Sequence, residues 1–467
     1  MTAPERLLKA RAPDLLDQQG ARRLLVWGSL AQWLVVDAEL QAFLELFDGR
    51  RASSKVIEAH ALRWKRPVTE VEREVAPLLS ELEKRGILEV PGEVRHPPRE
   101  EAVQIANLTC NLTNACNLRC RFCYTRDHRS DEVPIELLMN RIEEAHTLFS
   151  PDASFIVLGG EPFLRPERFF AALERAERLF RPPVLVSTNG TLLGPDTARR
   201  LVGKRVEVQV SLDGPTREIH DAVRGAGVFD QATTTVRLLS KLGIRTIVSM
   251  VFTRKTMALF EEYLDFAREL EAVEARFIPM RRIGAGLACA ADAPDPLSSL
   301  EALLEVLGRR PELGSLLGRD YFSIQVGLVR FAGARSGCGV GQKVVFVDAD
   351  GTVYPCPNHC SPEFSCGSLR RSSLKEVMLQ SPVIQRIRNQ YRVEDYRECR
   401  CCPFRHWCAG ECRGEALAVF RDPLAPAPGC RSLREMYLRI LWLLADRDPR
   451  LGAQATLQGR HVTTEML

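Results

Sequence analysis

Cys116, Cys120 and Cys123 share one short loop in the spacing C-x-x-x-C-x-x-C. Three thiolates so placed can hold three irons of a cubane 4Fe–4S cluster, which a fourth thiolate would close. The missing fourth ligand leaves one iron open to an external chelator. A structural zinc site or an inert thiol loop would fit the same three residues. The elements around the loop must therefore distinguish these readings.

The other cysteines point the same way. The chain of 467 residues has fifteen, none before Cys110, and ten of them lie between Cys338 and Cys430. In a reducing compartment such C-x-x-C clusters are metal ligands rather than disulfides. A net charge of +4 over this length gives no general attraction to nucleic acid or to membranes. No apolar run is long enough to span a bilayer, and MTAPERLLKARAP has no apolar core of a secretory signal. A cytoplasmic location is expected, in two to four domains.

Strand-like and helix-like patterns alternate from 103 to 280. The strands are read at Val103–Leu108, Phe155–Leu158, Val184–Ser187, Val206–Leu212, Thr246–Phe252 and Arg276–Pro279. Helices are expected between them, including Ile135–Phe149, Pro166–Phe180 and Met257–Leu270. Six β–α repeats mean an α/β fold with a parallel sheet, open or curled into a partial TIM-like barrel. The cysteine loop follows the first strand, at the end where β/α barrels build active sites. The next strands end in Gly159-Gly160-Glu161-Pro162, Ser187-Thr188-Asn189-Gly190 and Ser211-Leu212-Asp213-Gly214. The two small glycines let the backbone approach a ligand closely. Polar strand ends can bind an amino-acid moiety and a ribose, while Glu161 has the alternative of organising the loop. The amine and carboxylate of S-adenosylmethionine (SAM) suit the open iron, and reductive cleavage of SAM gives a 5′-deoxyadenosyl radical that abstracts hydrogen.

CNLRCRFC followed by GGEP, STNG and SLDG resembles the radical SAM superfamily over residues 103–280, which implies a core domain at 103–290. The resemblance implies a catalytic 4Fe–4S cluster on Cys116, Cys120 and Cys123. It further implies that Phe122 lies against the adenine and Gly160 contacts the methionyl amine. Ser211 and Arg224 would contact the carboxylate or ribose. Gly159, Glu161 and Asn189 complete the expected cofactor-binding set.

Twelve residues separate Cys338 from Gly351 and four separate Gly351 from Cys356; Cys399-x-x-Cys402, Cys408, Cys412 and Cys430 follow. This order, within 336–430, resembles the SPASM extension of radical SAM enzymes. The resemblance implies two auxiliary iron–sulfur clusters, expected to be 4Fe–4S. Cys338, Cys356 and Cys412 would hold one, and Cys399, Cys402, Cys408 and Cys430 the other. Cys360 or Cys366 could complete the first, or it could stay open to substrate. Two zinc sites are the alternative. Cys110, Cys289 and Cys401 fit no pattern and are read as non-ligand thiols. An amphipathic helix through Leu433, Met436, Tyr437, Ile440 and Leu444 leads into a loose tail, within 431–467.

Residues 1–92 read as a separate unit: a hairpin (Leu24–Trp27 and Trp33–Val36), three helices and a closing strand at Ile87–Val90. The third helix is expected to open with a Thr69-x-x-Glu72 capping box and to stop at Gly86 despite Pro77. Proline and charge mark 91–101 as a linker. The winged-helix-like pattern suggests DNA, but Glu70, Glu72, Glu74, Glu81 and Glu83 make that last helix a poor face for phosphates. The unit resembles the PqqD-like peptide-recognition element, in which a leader peptide adds as a strand.

The expected function is therefore radical modification of a ribosomally made precursor peptide. Its outcome could be a cross-link, a thioether or an epimerised centre. Flavodoxin or ferredoxin is the expected electron donor. A sulfatase-maturing enzyme shares the core, but that group has an Asp base directly after the Gly-x(4)-Cys cysteine, where Pro357 stands here. A non-catalytic iron–sulfur regulator is the third reading, and it leaves GGEP unexplained.

Overall fold

The computed structural model describes residues 6–92, 102–124, 131–331 and 334–451. The linker expected at 91–101 and the loose tail lie almost wholly outside them.

The N-terminal unit carries six strands, where a hairpin and one closing strand were expected. They are β1 (Leu7–Ala10), β2 (Leu15–Gln19), β3 (Arg22–Trp27), β4 (Gln32–Val36), β5 (Asp48–Ala52) and β6 (Leu88–Glu89). They form two three-stranded antiparallel sheets, β2-β3-β4 and β5-β1-β6. The three helices are Ala38–Glu45, Ser53–Trp64 and Val68–Lys84. The last begins after Pro67, with no side-chain cap, so Thr69 lies inside it and the expected capping box does not form. Pro67 is in an extended conformation, and the helix begins at the very next residue. Pro77 is tolerated because it sits on the exposed side, where water can serve the carbonyl it leaves free.

The strand β3 explains how this unit is held. Its side chains alternate between faces. Leu25 and Trp27 enter the unit's own core, while Leu24 and Val26 belong to the main core of the molecule. Trp442 Nε1 donates to Asp17 at 2.7 Å, and Arg22 pairs with Asp446 at 2.6 Å. A Cβ on Gly28 would lie 2.4 Å from the Pro403 carbonyl oxygen, so the two backbones touch.

Six parallel strands follow in chain order: β7 (Ile105–Asn111), β8 (Phe149–Leu158), β9 (Val184–Thr188), β10 (Val206–Ser211), β11 (Arg245–Phe252) and β12 (Glu274–Pro279). Their Val- and Ile-rich runs are buried, as strands covered by crossover helices must be. The covering helices include Pro166–Leu179, Val228–Lys241 and Phe260–Glu269. The expected helix over Ile135–Phe149 is shorter. It ends at Glu143, a single turn spans His146–Leu148, and β8 starts at Phe149. Phe149 is taken by the sheet as the partner of Ile105, and a bulge follows. Residues 281–335 are helical in part, with helices at Pro296–Arg309 and Tyr321–Phe331.

The partial barrel does not end at its own first strand. β13 (Val344–Val347) pairs parallel with β7, β14 (Thr352–Tyr354) antiparallel with β13, and β15 (Gly367–Ser368) with β14. One nine-stranded sheet thus joins the barrel to the cysteine-rich region. The closing helix Cys430–Ala445 packs on the helix Pro296–Arg309.

Candidate active site

The cysteine loop leaves the C-terminal end of β7 and is gripped at once by the end of β8. Gly160 N–H donates to the Thr113 carbonyl and Glu161 N–H to the Ala115 carbonyl, both at 2.9 Å. A Cβ on Gly159 would lie 2.3 Å from Thr113 O, and one on Gly160 would lie 2.1 Å from Ala115 O. The glycines were expected to make room for a ligand. The close approach seen here is to the protein's own backbone, at the root of the cysteine loop.

Glu161 is fully buried and organises the strand ends. One carboxylate oxygen accepts from Thr188 Oγ1 at 2.7 Å and from Phe163 N–H at 3.1 Å; the other accepts from Asn189 N–H at 2.7 Å. Burial raises its pKa, and these hydrogen bonds oppose the rise. Asn189 in turn donates to Asn117 Oδ1 at 2.9 Å, and Asn117 donates to Thr191 Oγ1 at 2.8 Å. Asn117 lies between Cys116 and Cys120, so the third strand end is tied into the loop. Sequence reasoning assigned Asn117 no role, and Thr188 only a place in the strand end Ser187-Thr188-Asn189-Gly190.

The opposite wall is built after β10, whose last residue, Ser211, is half-buried. Asp213 is buried; one oxygen accepts from Val251 N–H at 3.0 Å and the other from Arg224 Nε at 2.7 Å. This aims the Arg224 guanidinium at the loop, with Nη1 4.0 Å from Cys120 Sγ. Burial raises the pKa of Cys116 and Cys120, and Arg224 pulls both back down. A cluster needs the thiolates, so a fixed cation here suits one. Arg121 N–H donates to the Val223 carbonyl at 2.9 Å and joins the loop to the Arg224 helix. Phe122 is half-buried above Gly286, and Ala285 N–H donates to the Cys123 carbonyl at 3.0 Å. This contact of the segment after β12 had no signal in the spacing of the motifs.

His220 supports the same corner. Asp213 N–H donates to its Nδ1 at 3.0 Å, and its Nε2 is buried without a partner among the described residues. Burial lowers its pKa from 6.5 to about 4. Because the folded state refuses the proton that the unfolded state takes, stability is full above pH 6.5 and is lost as pH falls towards 4. The loss is on the order of 2–3 kcal/mol. Denaturant melts at pH 7 and pH 5 should show a drop that His220→Gln flattens. Equal drops in both proteins would place the acid sensitivity elsewhere.

Seven of the remaining thiols form two electrostatically coupled groups, while among the described residues no three His, Cys, Asp or Glu side chains close on a single metal ion. Burial raises the pKa of Cys338 and Cys356, and the charge of Cys412 raises both further. Burial likewise raises Cys399, Cys402 and Cys408, and Cys430 adds to each. The segment after Cys356 wraps the first group: Asn358 Nδ2 lies 3.4 Å from Cys412 Sγ, and His359 Nδ1 lies 3.5 Å from Cys356 Sγ. Cys360 is the nearer of the two spare thiols, and its charge acts on both Cys356 and Tyr124, the neighbour of Cys123. Cys366 is buried beside Ser381 and Arg386 instead. Cys110 is buried within β7, and burial pushes its pKa up to about 12.

Residues 110–267 match the radical SAM superfamily, and residues 338–403 match the SPASM iron–sulfur cluster-binding domain. Mycofactocin maturase MftC of Mycobacterium tuberculosis is 30% identical over 331 residues, covering 69% of this chain and 82% of the relative. The chain belongs to the radical SAM superfamily. As a radical SAM enzyme with a SPASM domain it uses a 4Fe–4S cluster with SAM and carries auxiliary iron–sulfur binding. The radical SAM fold is shared with anSMEcpe with bound AdoMet, at TM-score 0.60 and 20% identity, over 75% of this chain and all of that one. It is shared too with Streptococcus suis SuiB bound to S-adenosylmethionine, at TM-score 0.56 and 15% identity, over 91% of this chain and 98% of that one. Among the described residues, no helix is long and apolar enough to cross a membrane.

Proposed function

We propose that this radical SAM enzyme modifies a ribosomally made precursor peptide, holding the leader on residues 1–92 and reacting the core segment at the barrel mouth. The observation that carries this reading is the N-terminal unit. The likeness to SuiB leaves 9% of the chain uncovered, which is shorter than that unit, so it reaches into it. SuiB is also known bound to its precursor peptide SuiA. The relative MftC is itself named a maturase. The sheet β2-β3-β4 has strand edges to which an extended peptide can add through backbone hydrogen bonds.

When bound, the cluster and SAM supply a 5′-deoxyadenosyl radical able to abstract hydrogen. The chain's residues do the rest. Cys116, Cys120 and Cys123 ligate the iron, and Arg224 holds positive charge against them. Phe122 offers a face to the adenine, while Gly160 and Ser211 line the methionyl and ribose side. Glu161 and Asn189 keep the strand ends fixed around these groups. Cys338, Cys356 and Cys412, and Cys399, Cys402, Cys408 and Cys430, ligate the two auxiliary clusters. The enzyme works in the cytoplasm and takes electrons from a flavodoxin or ferredoxin. Which hydrogen is taken depends on where the peptide is held.

The test is anaerobic co-expression with the short peptide encoded beside the gene. Loss of a hydrogen pair in the mass spectrum is the expected result for a cross-link. A mass unchanged in ordinary water but raised by deuterium uptake in heavy water identifies epimerisation. A peptide that shows none of these changes would overturn the reading. Deleting residues 1–92 would strip Leu24 and Val26 from the main core. Leader recognition is better tested by titrating a leader fragment into the intact chain. Photo-crosslinking of that fragment should fall within 1–92, and labelling confined to the barrel would remove the role.

A further inference from the structure

Arg413 directly follows Cys412 and opens the helix Arg413–Phe420. Its side chain is among the largest fully buried ones, at 1% exposure. Only Nη1 finds partners, the carbonyls of Pro423 at 3.1 Å and Ala425 at 2.7 Å. Nε and Nη2 are buried with no hydrogen bond, and no carboxylate pairs with the group among the described residues. A guanidinium does not give up its proton in a protein, and a buried, unpaired charge is strongly unfavourable. Something anionic must offset it.

The surroundings indicate what that is. The guanidinium lies over the Tyr396 ring, 5.0 Å from its centroid, and Cys399 N–H donates to the Tyr396 carbonyl at 3.1 Å. Arg413 is thus covalently next to Cys412 of the first thiol group and stacked on the residue that leads into Cys399 of the second. Its positive charge acts on Cys338 and on Cys399. Gly410 makes the seat: a Cβ there would lie 2.8 Å from the Tyr396 ring and 3.2 Å from Arg413 Nε.

We propose that Arg413 is a counter-cation shared by the two auxiliary clusters, and that it holds both of their reduction potentials up. The inference rests on both thiol groups carrying clusters. A cluster bound by thiolates is anionic and gains a further negative charge on reduction, so a fixed cation beside it favours the reduced state. The field of one fixed cation adds at each cluster, so a single residue raises both potentials.

The test is an anaerobic redox titration of the full, cluster-loaded chain followed by electron paramagnetic resonance, with iron counted first. Wild-type iron short of the auxiliary clusters would remove the premise rather than the assignment. In Arg413→Gln both auxiliary potentials should fall together, and in Arg413→Lys both should return most of the way. The potential of the Cys116–Cys120–Cys123 cluster should not move. A shift in one auxiliary cluster alone, or equal shifts in the Gln and Lys variants, would overturn the proposal. Iron lost from Gln but kept in Lys supports a required charge. Iron lost from both overturns it, because Lys keeps the charge and changes only the shape.

Discussion

Replacing Cys116, Cys120 and Cys123 together with alanine will abolish 5′-deoxyadenosine formation while leaving the auxiliary iron in place. The three thiols sit on one loop after β7, and no other thiol group shares that loop. On the proposed assignment, removing them takes away every protein ligand of the SAM-binding cluster. The loop keeps anchors that do not involve the thiols: Glu161 bonds through its backbone N–H and its carboxylate, and Asn189 and Asn117 through their side-chain amides. The strand ends should therefore persist, and so should the two distant cysteine groups. The check is chromatography of deoxyadenosine after chemical reduction with SAM, beside an iron count. Retained cleavage would overturn the assignment of the catalytic cluster.

Gly160→Ala should come close to that loss without touching a ligand. The new Cβ would meet Ala115 O at 2.1 Å, Ala115 C at 2.4 Å and Asn114 O at 2.7 Å, all backbone atoms. Backbone cannot swing aside as a flexible side chain can, so the loop root must move. Overpacking of this kind costs about 1–3 kcal/mol and often more. The same shift breaks the 2.9 Å bond from Glu161 N–H to Ala115 O. A displacement near 1 Å at a reacting centre is worth about 100-fold in rate. We expect at least that drop in SAM cleavage, with weakened retention of the core cluster alone. Gly308→Ala is the control: its Cβ would meet only Arg450 Cδ, at 3.6 Å, inside a helix. It should leave cleavage unchanged. A Gly160→Ala variant as active as Gly308→Ala would show that the loop root is not rigid.

The barrel was legible because its strands are covered on both sides and so read as unbroken Val and Ile runs. All six were found, five of them within three residues at each end, while β8 starts six residues before the Phe155 read from the sequence. The proposed cluster cysteines stand out because covalent spacing is itself the signal. What pairing decides was harder. Phe149 read as the end of a helix because its neighbours are apolar at helical spacing, yet Ile105 claims it for the sheet. The strands β1, β2 and β5 escaped notice: LLKA, LLDQQ and DGRRA are short, and β2 and β5 are largely polar and exposed. Gly159 and Gly160 were marked for close approach to a ligand, and the backbone they meet, 46 and 45 residues away in sequence, gave no signal. Arg413 carried no signal at all, because a lone arginine reads as surface until its burial is known.

The parallel pairing of β7 with β13 sets an order for the chain's birth. Asn107 is matched to Val344, so the flank of the first barrel strand stays uncovered until well over two hundred further residues have left the ribosome. An uncovered strand edge invites the wrong neighbour, and contacts this distant in sequence form slowly. The nascent barrel therefore waits, with its metal loop already made, for the segment that will also bring the remaining thiols. A shortened gene ending near residue 290 should yield aggregates rather than a small working barrel. Iron delivery to the proposed sites is then best timed after release, when the nine-stranded sheet is complete.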